Sequence, residues 1–274
     1  MTSAAQRPFA PDEHIVVEDL SKRFGSFEVL RDLNLSMRRG HVAVVIGGSG
    51  AGKSTLLKML IGLDKPTRGA VYINGQNIVP LGERKMNQVR QKFGMVFQYS
   101  ALLDSMTVLD NIAFPLREHT KLREREIRER VREKLGILEL TGTEARFPSE
   151  LSGGMRKRVA LARALMLDPE VIMYDEPTSG LDPITARLVD RLIVDTRDRF
   201  GVTSVVISHD MAGALRIADE IYLLARGVIV ASGTPNELVH GKNELVQEFF
   251  ESSGIAAEDL IQDHPSAVQF RSDA

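Results

Sequence analysis

The chain contains no cysteine. Disulfides, thiol catalysis and cysteine-ligated zinc are therefore excluded. It also lacks an excess of either charge: 35 Lys and Arg face 37 Asp and Glu, for a net charge of −2. Nothing in the whole chain has the basic balance of a nucleic-acid binder, and no nucleic-acid partner is expected. No apolar run approaches the ~18 residues that a bilayer span requires. The opening MTSAAQRPFAPDEH has no apolar core of the kind a secretory signal needs. A cytosolic chain is expected, with any membrane role supplied through a partner. No internal repeat is visible. What is present is an ordinary globular composition, 43% hydrophobic and 26% charged over 274 residues, enough for one large core or two small ones.

Residues 1–13 read as a polar arm. From His14, 14-HIVVEDL-20 and 27-FEVLRDLNLSM-37 alternate apolar and polar residues, as an antiparallel hairpin or sheet does. The run 41-HVAVVI-46 has the pattern of a buried strand and leads into a glycine cluster. A helix is expected from Lys53, with Leu56, Leu57 and Leu60 on its apolar face. Strands are expected at 70-AVYING-75 and 93-FGMVFQ-98. The region from about 99 to 165 changes character. In 117-REHTKLREREIRERVREKLGILEL-140, Leu122, Ile127, Val131 and Leu135 form one narrow stripe. Glu124–Arg128 and Glu126–Arg130 have the helpful i,i+4 order. A helical subdomain inserted in an α/β core is the expectation. Further strands are predicted at 171-VIMYDE-176, 203-TSVVIS-208, 220-EIYLLA-225 and 227-GVIVASG-233, with helices at about 183–199 and 211–218. Alternating strands and helices imply a mainly parallel sheet. The domain is expected over 14–242, with a tail over 243–274 that carries one amphipathic segment, 245-LVQEFFESSGI-255. Phe249 and Phe250 are expected to pack on the chain's own core or on a second chain.

The cluster 47-GGSGAGKST-55 holds Gly47, four residues, then Gly52-Lys53-Ser54, the P-loop pattern between a strand and a helix. Glycine lets the backbone of Gly47, Gly48, Ser49, Gly50, Ala51 and Gly52 turn its N–H groups onto phosphate oxygens. The helix that starts there adds its positive end. Lys53 supplies charge for the β and γ phosphates, and the Ser54 hydroxyl, followed by Thr55, can ligate Mg²⁺. Asp175, at the end of a buried strand, can hold that magnesium through its water shell. Glu176, one residue on, is the expected base for the attacking water. The expected ligands are thus ATP and Mg²⁺.

The order of motifs resembles the ATP-binding-cassette (ABC) ATPase subunits over about residues 14–240. Beyond the P-loop, Gln98 follows a strand as the family's Q-loop glutamine does. The run 151-LSGGM-155 resembles the signature, 179-SGLD-182 the D-loop, and His209 in 207-ISHD-210 the switch histidine. The resemblance implies a P-loop NTPase fold of ABC type, a mainly parallel core sheet with an antiparallel β subdomain and an inserted helical subdomain. It implies catalytic roles for Glu176, His209, Gln98 and Lys53, and a metal role for Gln98 beside Ser54 and Asp175. Phe24 stands where the family places an aromatic on adenine, although Phe27 is a nearby alternative. In that family two cassettes meet head to tail, so Ser152, Gly153 and Gly154 of one chain would cap the γ-phosphate held by the other, with Asp182 close by.

A single cassette with the base present and no membrane span fits the energy-coupling subunit of a transporter better than a soluble or regulatory cassette. Met155 in the signature, 98-QYSALLDSMTVLDNIAFPLREHT-120 and 175-DEPTSGLDPITA-186 are similar to the corresponding stretches of MCE-linked, Mla-type phospholipid transport cassettes. That likeness implies permease subunits, an MCE lipid-binding protein and a small cytosolic accessory protein as partners, at the cytoplasmic face of a bacterial inner membrane. The alternative is the ATPase of another small-solute transporter. Leu102, Leu103 and Met106 are expected at the surface that meets the permease.

Overall fold

The computed structural model describes residues 9–241 and 243–253. Most of the expected polar arm and the tail beyond residue 253 lie outside the described residues. Two sheets organise the rest. The first is antiparallel, in the order β2-β1-β4-β5, from β1 (Glu13–Phe24), β2 (Phe27–Arg38), β4 (Arg68–Ile73) and β5 (Gln76–Asn77). The second has six strands in the order β10-β9-β3-β8-β7-β6. These are β3 (Val42–Ile46), β6 (Phe93–Val96), β7 (Val171–Asp175), β8 (Thr203–Ser208), β9 (Glu220–Ala225) and β10 (Val228–Gly233). All neighbours are parallel except β9 and β10.

β3 shows why the sheet lies inside. Its five residues, VAVVI, are all buried, as a strand covered on both faces requires. Their side chains alternate between two cores. Val42, Val44 and Ile46 join the core that includes α6 (Pro183–Phe200), α7 (Met211–Ile217) and the helical segment. Ala43 and Val45 join the core built from α1 (Lys53–Leu60) and the antiparallel sheet. A short helix that the sequence reading missed, α2 (Glu83–Arg90), buries Met86 and Val89 in this second core.

Between β6 and β7 the chain forms α3 (Val108–His119), α4 (Glu124–Ile137) and α5 (Gly153–Ala164). α3 is capped by the Thr107 hydroxyl, which accepts the Asp110 N–H at 3.1 Å. In α4 the stripe Ile127, Val131 and Leu135 is buried, and Leu122 packs beside it from just before the helix. Of the two charge pairs expected on α4, Glu124–Arg128 forms at 3.1 Å. Glu126 does not take Arg130. It sits at the third helical position, and its carboxylate accepts the Arg123 N–H at 2.8 Å, satisfying a helix-end donor. Arg130 lies 3.9 Å from Asp168 instead.

At the end of the molecule opposite the glycine cluster, His14 joins the two sheets. Its Nδ1 is 2.6 Å from Thr203 Oγ1, and its Nε2 is 3.3 Å from Glu170. Glu170 also receives the Asn74 amide at 2.7 Å and the Lys92 ammonium at 2.8 Å. Burial, then the Arg39 charge, lowers the His14 pKa from 6.5 to about 4. Burial alone would raise the Glu170 pKa, but hydrogen bonds from Lys92 and Asn74 hold it down at about 2. The chain closes with α8 (Pro235–His240) and α9 (Glu244–Ser253), whose Val246 and Phe250 are buried in the chain's own core. No helix among the described residues is long and apolar enough to cross a membrane.

Candidate functional site

Gly47, Gln98, Glu176 and His209 follow closely on the C-terminal ends of β3, β6, β7 and β8. These four strands are contiguous and parallel, so their ends open on one edge of the sheet, the usual location of ligands in such folds. The cleft there has a volume of about 760 Å³. It is lined by Gly48, Ser49, Gly50, Ala51, Gly52, Lys53, Ser54 and Thr55, with Gln98, Glu176, Ser179 and His209 across from them and Val29 and Phe249 at its walls.

Local backbone demands explain the loop. Gly52 precedes α1 with φ +107°, and a Cβ there would lie 2.4 Å from Leu30 Cδ2. At Gly47 a Cβ would lie 2.1 Å from the Leu224 carbonyl oxygen, so the loop passes close over β9. Lys53 is buried and its Nζ donates to the Gly47 carbonyl at 2.7 Å and the Gly48 carbonyl at 3.2 Å. The same Nζ lies 3.6 Å from Glu176 Oε1.

Glu176 adopts φ +49°, an uncommon backbone state for a residue with a side chain. Its N–H is held by the Ile207 carbonyl at 2.8 Å. Its carboxylate meets Lys53 on one side and His209 Nδ1 at 2.7 Å on the other. A carboxylate held between an ammonium and an imidazole, in a cleft open to solvent, is fixed in place and can accept a proton from a water beside it. The Asp175 carboxyl is raised by burial and then by the adjacent Glu176 charge, the condition that a divalent cation relieves. Oxygen donors from Asp175 and Ser54 suit magnesium. Gln98 Nε2 donates to Ser179 Oγ at 3.1 Å.

Other expected site residues stand apart. Ser152 begins α5 on the surface, and its hydroxyl accepts the Met155 N–H at 3.3 Å. Gly153 and Gly154 follow as the first two helical residues. A Cβ at Gly153 would find only Arg156 Nη2, at 3.9 Å, and one at Gly154 would find nothing within 4 Å. The chain's own fold therefore does not need glycine at either position. Asp182 caps α6, accepting the Ile184 N–H at 3.0 Å and the Thr185 N–H at 3.1 Å. Phe24 and Phe27 pair across the β1–β2 hairpin tip, 53% and 69% exposed, with Lys22 Nζ 4.8 Å from the Phe24 ring. Neither is among the residues that line the cleft.

Sequence reasoning missed Val29, Phe249 and Ser179 as cleft residues. Val29 and Phe249 carry no chemical signal, since an apolar residue in a strand or a helix reads as core. Ser179 lay within the quoted 179-SGLD-182 motif but had no role of its own.

A family model described as ABC transporter matches residues 30–179. That span includes the P-loop, Gln98, Ser152 to Gly154, Asp175 and Glu176, while Phe24, Asp182 and His209 fall outside it. The probable ribonucleotide transport ATP-binding protein mkl of Mycobacterium tuberculosis is 40% identical over 97% of this chain and 74% of its own length. The intermembrane phospholipid transport system ATP-binding protein MlaF of Haemophilus influenzae is 42% identical over 88% of this chain and 92% of its own length. Among solved structures, the ATP-binding cassette MJ0796 in its dimeric form bound to ADP and Pi superposes with a TM-score of 0.71. It is 32% identical, over 80% of this chain and 98% of that chain. The chain belongs to the ABC transporter family, as an ATP-binding cassette with ATPase activity.

Proposed function

We propose that the chain energises a membrane transporter for a small molecule, and that two copies close head to tail around two ATP molecules. The observation that carries this reading is the open space over Gly153 and Gly154. Two glycines in the first turn of a helix are less favourable than alanine, by up to about 1 kcal/mol each, and nothing in the chain's own packing requires them. A helix start stripped of side chains lets an anion from outside the chain approach the free N–H groups. The γ-phosphate in a partner's P-loop is such an anion. The dimeric relative MJ0796 supports the pairing.

In this scheme the loop Gly47 to Thr55 wraps the phosphates and Lys53 neutralises them. Glu176 takes a proton from the attacking water, and His209, 2.7 Å from that carboxylate, holds it in place. Ser54, Asp175 and Gln98 would hold magnesium, which when bound supplies charge for the phosphate oxygens. Asp182 lies near the partner through the D-loop, and Phe24 or Phe27 stacks on adenine. Departure of phosphate removes the link between Lys53 of one chain and Ser152 of the other, and the pair opens.

A second cleft, also about 760 Å³, lies between the core and the helical segment, lined by Arg90, Phe93 and Met95 on one side and by Leu103, Phe114 and Arg163 on the other, among others. It fits a short cytoplasmic helix of a permease. Of the three apolar residues expected at that contact, Leu103 lines this cleft, whereas Leu102 packs against the chain's own core and Met106 is half-buried and not among the cleft residues. The chain would then sit at the cytoplasmic face of a bacterial inner membrane.

The cargo is a small solute in the broader reading, which accommodates a ribonucleotide-transport and a phospholipid-transport relative at similar identity. The narrower phospholipid reading, with an MCE protein and a small accessory protein as partners, draws its support from the match to MlaF over 92% of that protein's length. Co-purification of the native complex with lipid and nucleotide analysis of its contents separates the two. The core of the proposal is tested with Glu176→Gln, which keeps shape and removes the base. It should bind ATP, lose about 10²–10⁴-fold in turnover and accumulate as a closed dimer in light scattering. Turnover at the parent rate rejects Glu176 as base. Adding Ser152→Arg should prevent closure while ATP binding persists, and a double variant that still closes rejects the cap.

A further inference from the structure

The helix that starts at Ser152 does more than present a glycine pair. Along α5, Lys157 is only 5% exposed, and its Nζ donates to the Phe97 carbonyl at 3.4 Å and to the Gln98 carbonyl at closer range. Six residues further on, Arg163 donates through Nη2 to the Ser100 carbonyl at 3.0 Å and through Nη1 to the Ala101 carbonyl at 2.7 Å. The two cations thus gather four carbonyls from the turn that follows β6. Among the described residues neither cation makes an ion pair with a carboxylate. Burying a cation against carbonyls alone is costly, and burial lowers the pKa of both side chains. An apolar residue would pack there more cheaply.

The turn they hold is strained. Ser100 has φ +63° and Ala101 φ +46°, two consecutive left-handed residues with side chains. Each such residue costs roughly 1–2 kcal/mol and persists only where its surroundings fix it. Gln98, at the head of this turn, reaches Ser179 in the nucleotide cleft. One rigid helix therefore carries Ser152 to Gly154 at its start and grips the backbone of Gln98 along its side.

We propose that Lys157 and Arg163 are positioning residues for Gln98, clamping it to the helix that carries the Ser152 to Gly154 loop, so that engagement of that loop by a partner's phosphate sets Gln98 in the chain's own cleft. This rests on the reading that Gln98 serves nucleotide hydrolysis. The coupling follows from mechanics. A shift of α5 at its N-terminal end displaces the Lys157 ammonium, and with it the Gln98 carbonyl that it grips. Each chain then holds its own glutamine in register only while its glycine pair is seated on the other chain.

The test is a double-mutant cycle on the full-length protein with ATP and Mg²⁺. Lys157→Met keeps the length of the side chain and removes its donors. It should lower kcat between about ten- and a hundredfold, the range that follows from displacing a catalytic group by about 1 Å, while the Kd for ATP measured by calorimetry moves less than about twofold, since P-loop binding is untouched. Lys157→Gln, which retains an N–H donor, should recover most of the rate. Gln98→Ala should lower kcat by itself, and the double variant Gln98→Ala/Lys157→Met should be no slower than Gln98→Ala alone, because Lys157 acts through Gln98. A merely structural lysine would instead multiply the two losses. Unchanged kcat in Lys157→Met, or multiplied losses in the double variant, overturns the clamp while leaving the role of Gln98 standing. Unchanged kcat in Gln98→Ala overturns the reading of Gln98 and the clamp with it. Should Lys157→Met fail to yield folded protein, the same cycle with Arg163→Met, which removes the donors to the Ser100 and Ala101 carbonyls, carries the test, and an unchanged kcat or multiplied losses there overturn the clamp equally.

Discussion

The Gly154→Ala substitution separates what the chain needs from what its partner needs, because the two requirements have opposite signs. Within the chain, the added methyl meets nothing within 4 Å and Gly154 is the second residue of α5. Replacing glycine by alanine in a helix, with reduced freedom in the unfolded chain, stabilises by about 0.4–1 kcal/mol. For a domain of this size that raises Tm by about 1–4 °C. In the proposed pair of chains, the same methyl would stand where a phosphate must approach the backbone N–H groups. Losing one charge-assisted hydrogen bond costs about 1.5–3 kcal/mol, which lowers kcat by about ten- to a hundredfold. The assays are differential scanning calorimetry without nucleotide and steady-state phosphate release with ATP and Mg²⁺. A variant that melts higher and turns over at the parent rate refutes the composite site. A variant that melts lower without nucleotide refutes the claim that the chain's own packing leaves Gly154 free.

Lys53→Ala should weaken ATP binding and abolish hydrolysis, as read by calorimetry and phosphate release, and near-normal turnover would remove Lys53 from the site. Stability should fall as pH drops from 6.5 towards about 4, because the unfolded His14 takes up a proton while the folded one, held down by burial and Arg39, does not. The slope approaches ~1.4 kcal/mol per pH unit at most, Glu170 adds a further loss at lower pH, and His14→Gln should flatten the curve of urea midpoints across that window. Leu103→Asp should leave the melting temperature and basal ATP hydrolysis within error while reducing recovery of the permease in pull-downs, and undiminished recovery would reject the second cleft as its seat.

Much of the fold was legible because its signals are periodic. The all-apolar β3, the alternation in β1 and β2 and the stripe on α4 each follow from one repeat length. The phosphate loop was legible for another reason, since glycine spacing, a lysine and a hydroxyl form a pattern with few other uses. The signature glycines were legible only as a resemblance, and their lack of any role within the chain became visible once the space around them was known. Three features stayed hidden. α2 is short and polar on most of its surface, so Met86 and Val89 made no visible stripe. Glu126 had two plausible partners, and the choice depended on where α4 begins. The roles of Lys157 and Arg163 left no trace in the sequence, because their partners are backbone carbonyls about sixty residues away, which no sequence pattern records.

The placement of α5 has a consequence for how such a chain can diversify. β6 and β7 are adjacent and parallel, so any link between them must travel back along the sheet. The 12 residues of α5 span about 18 Å, enough to make that return alone. Seen as wiring, β6, α5 and β7 form a complete circuit, and α3 and α4 are an extension spliced into its first joint. Closing a longer loop at a joint whose ends are already fixed costs little, about 0.6 kcal/mol per doubling of length. The extension can therefore change length at modest entropic cost, where its contacts with α5 are kept, while the circuit carrying Gln98, Lys157 and Asp175 keeps its dimensions. The extension joins the circuit at two peptide segments, after Ala101 and before Leu151, and because Ile112, Leu116, Val131 and Leu135 share one core with α5, a graft between relatives should carry α3 and α4 together with the face of α5 that they cover.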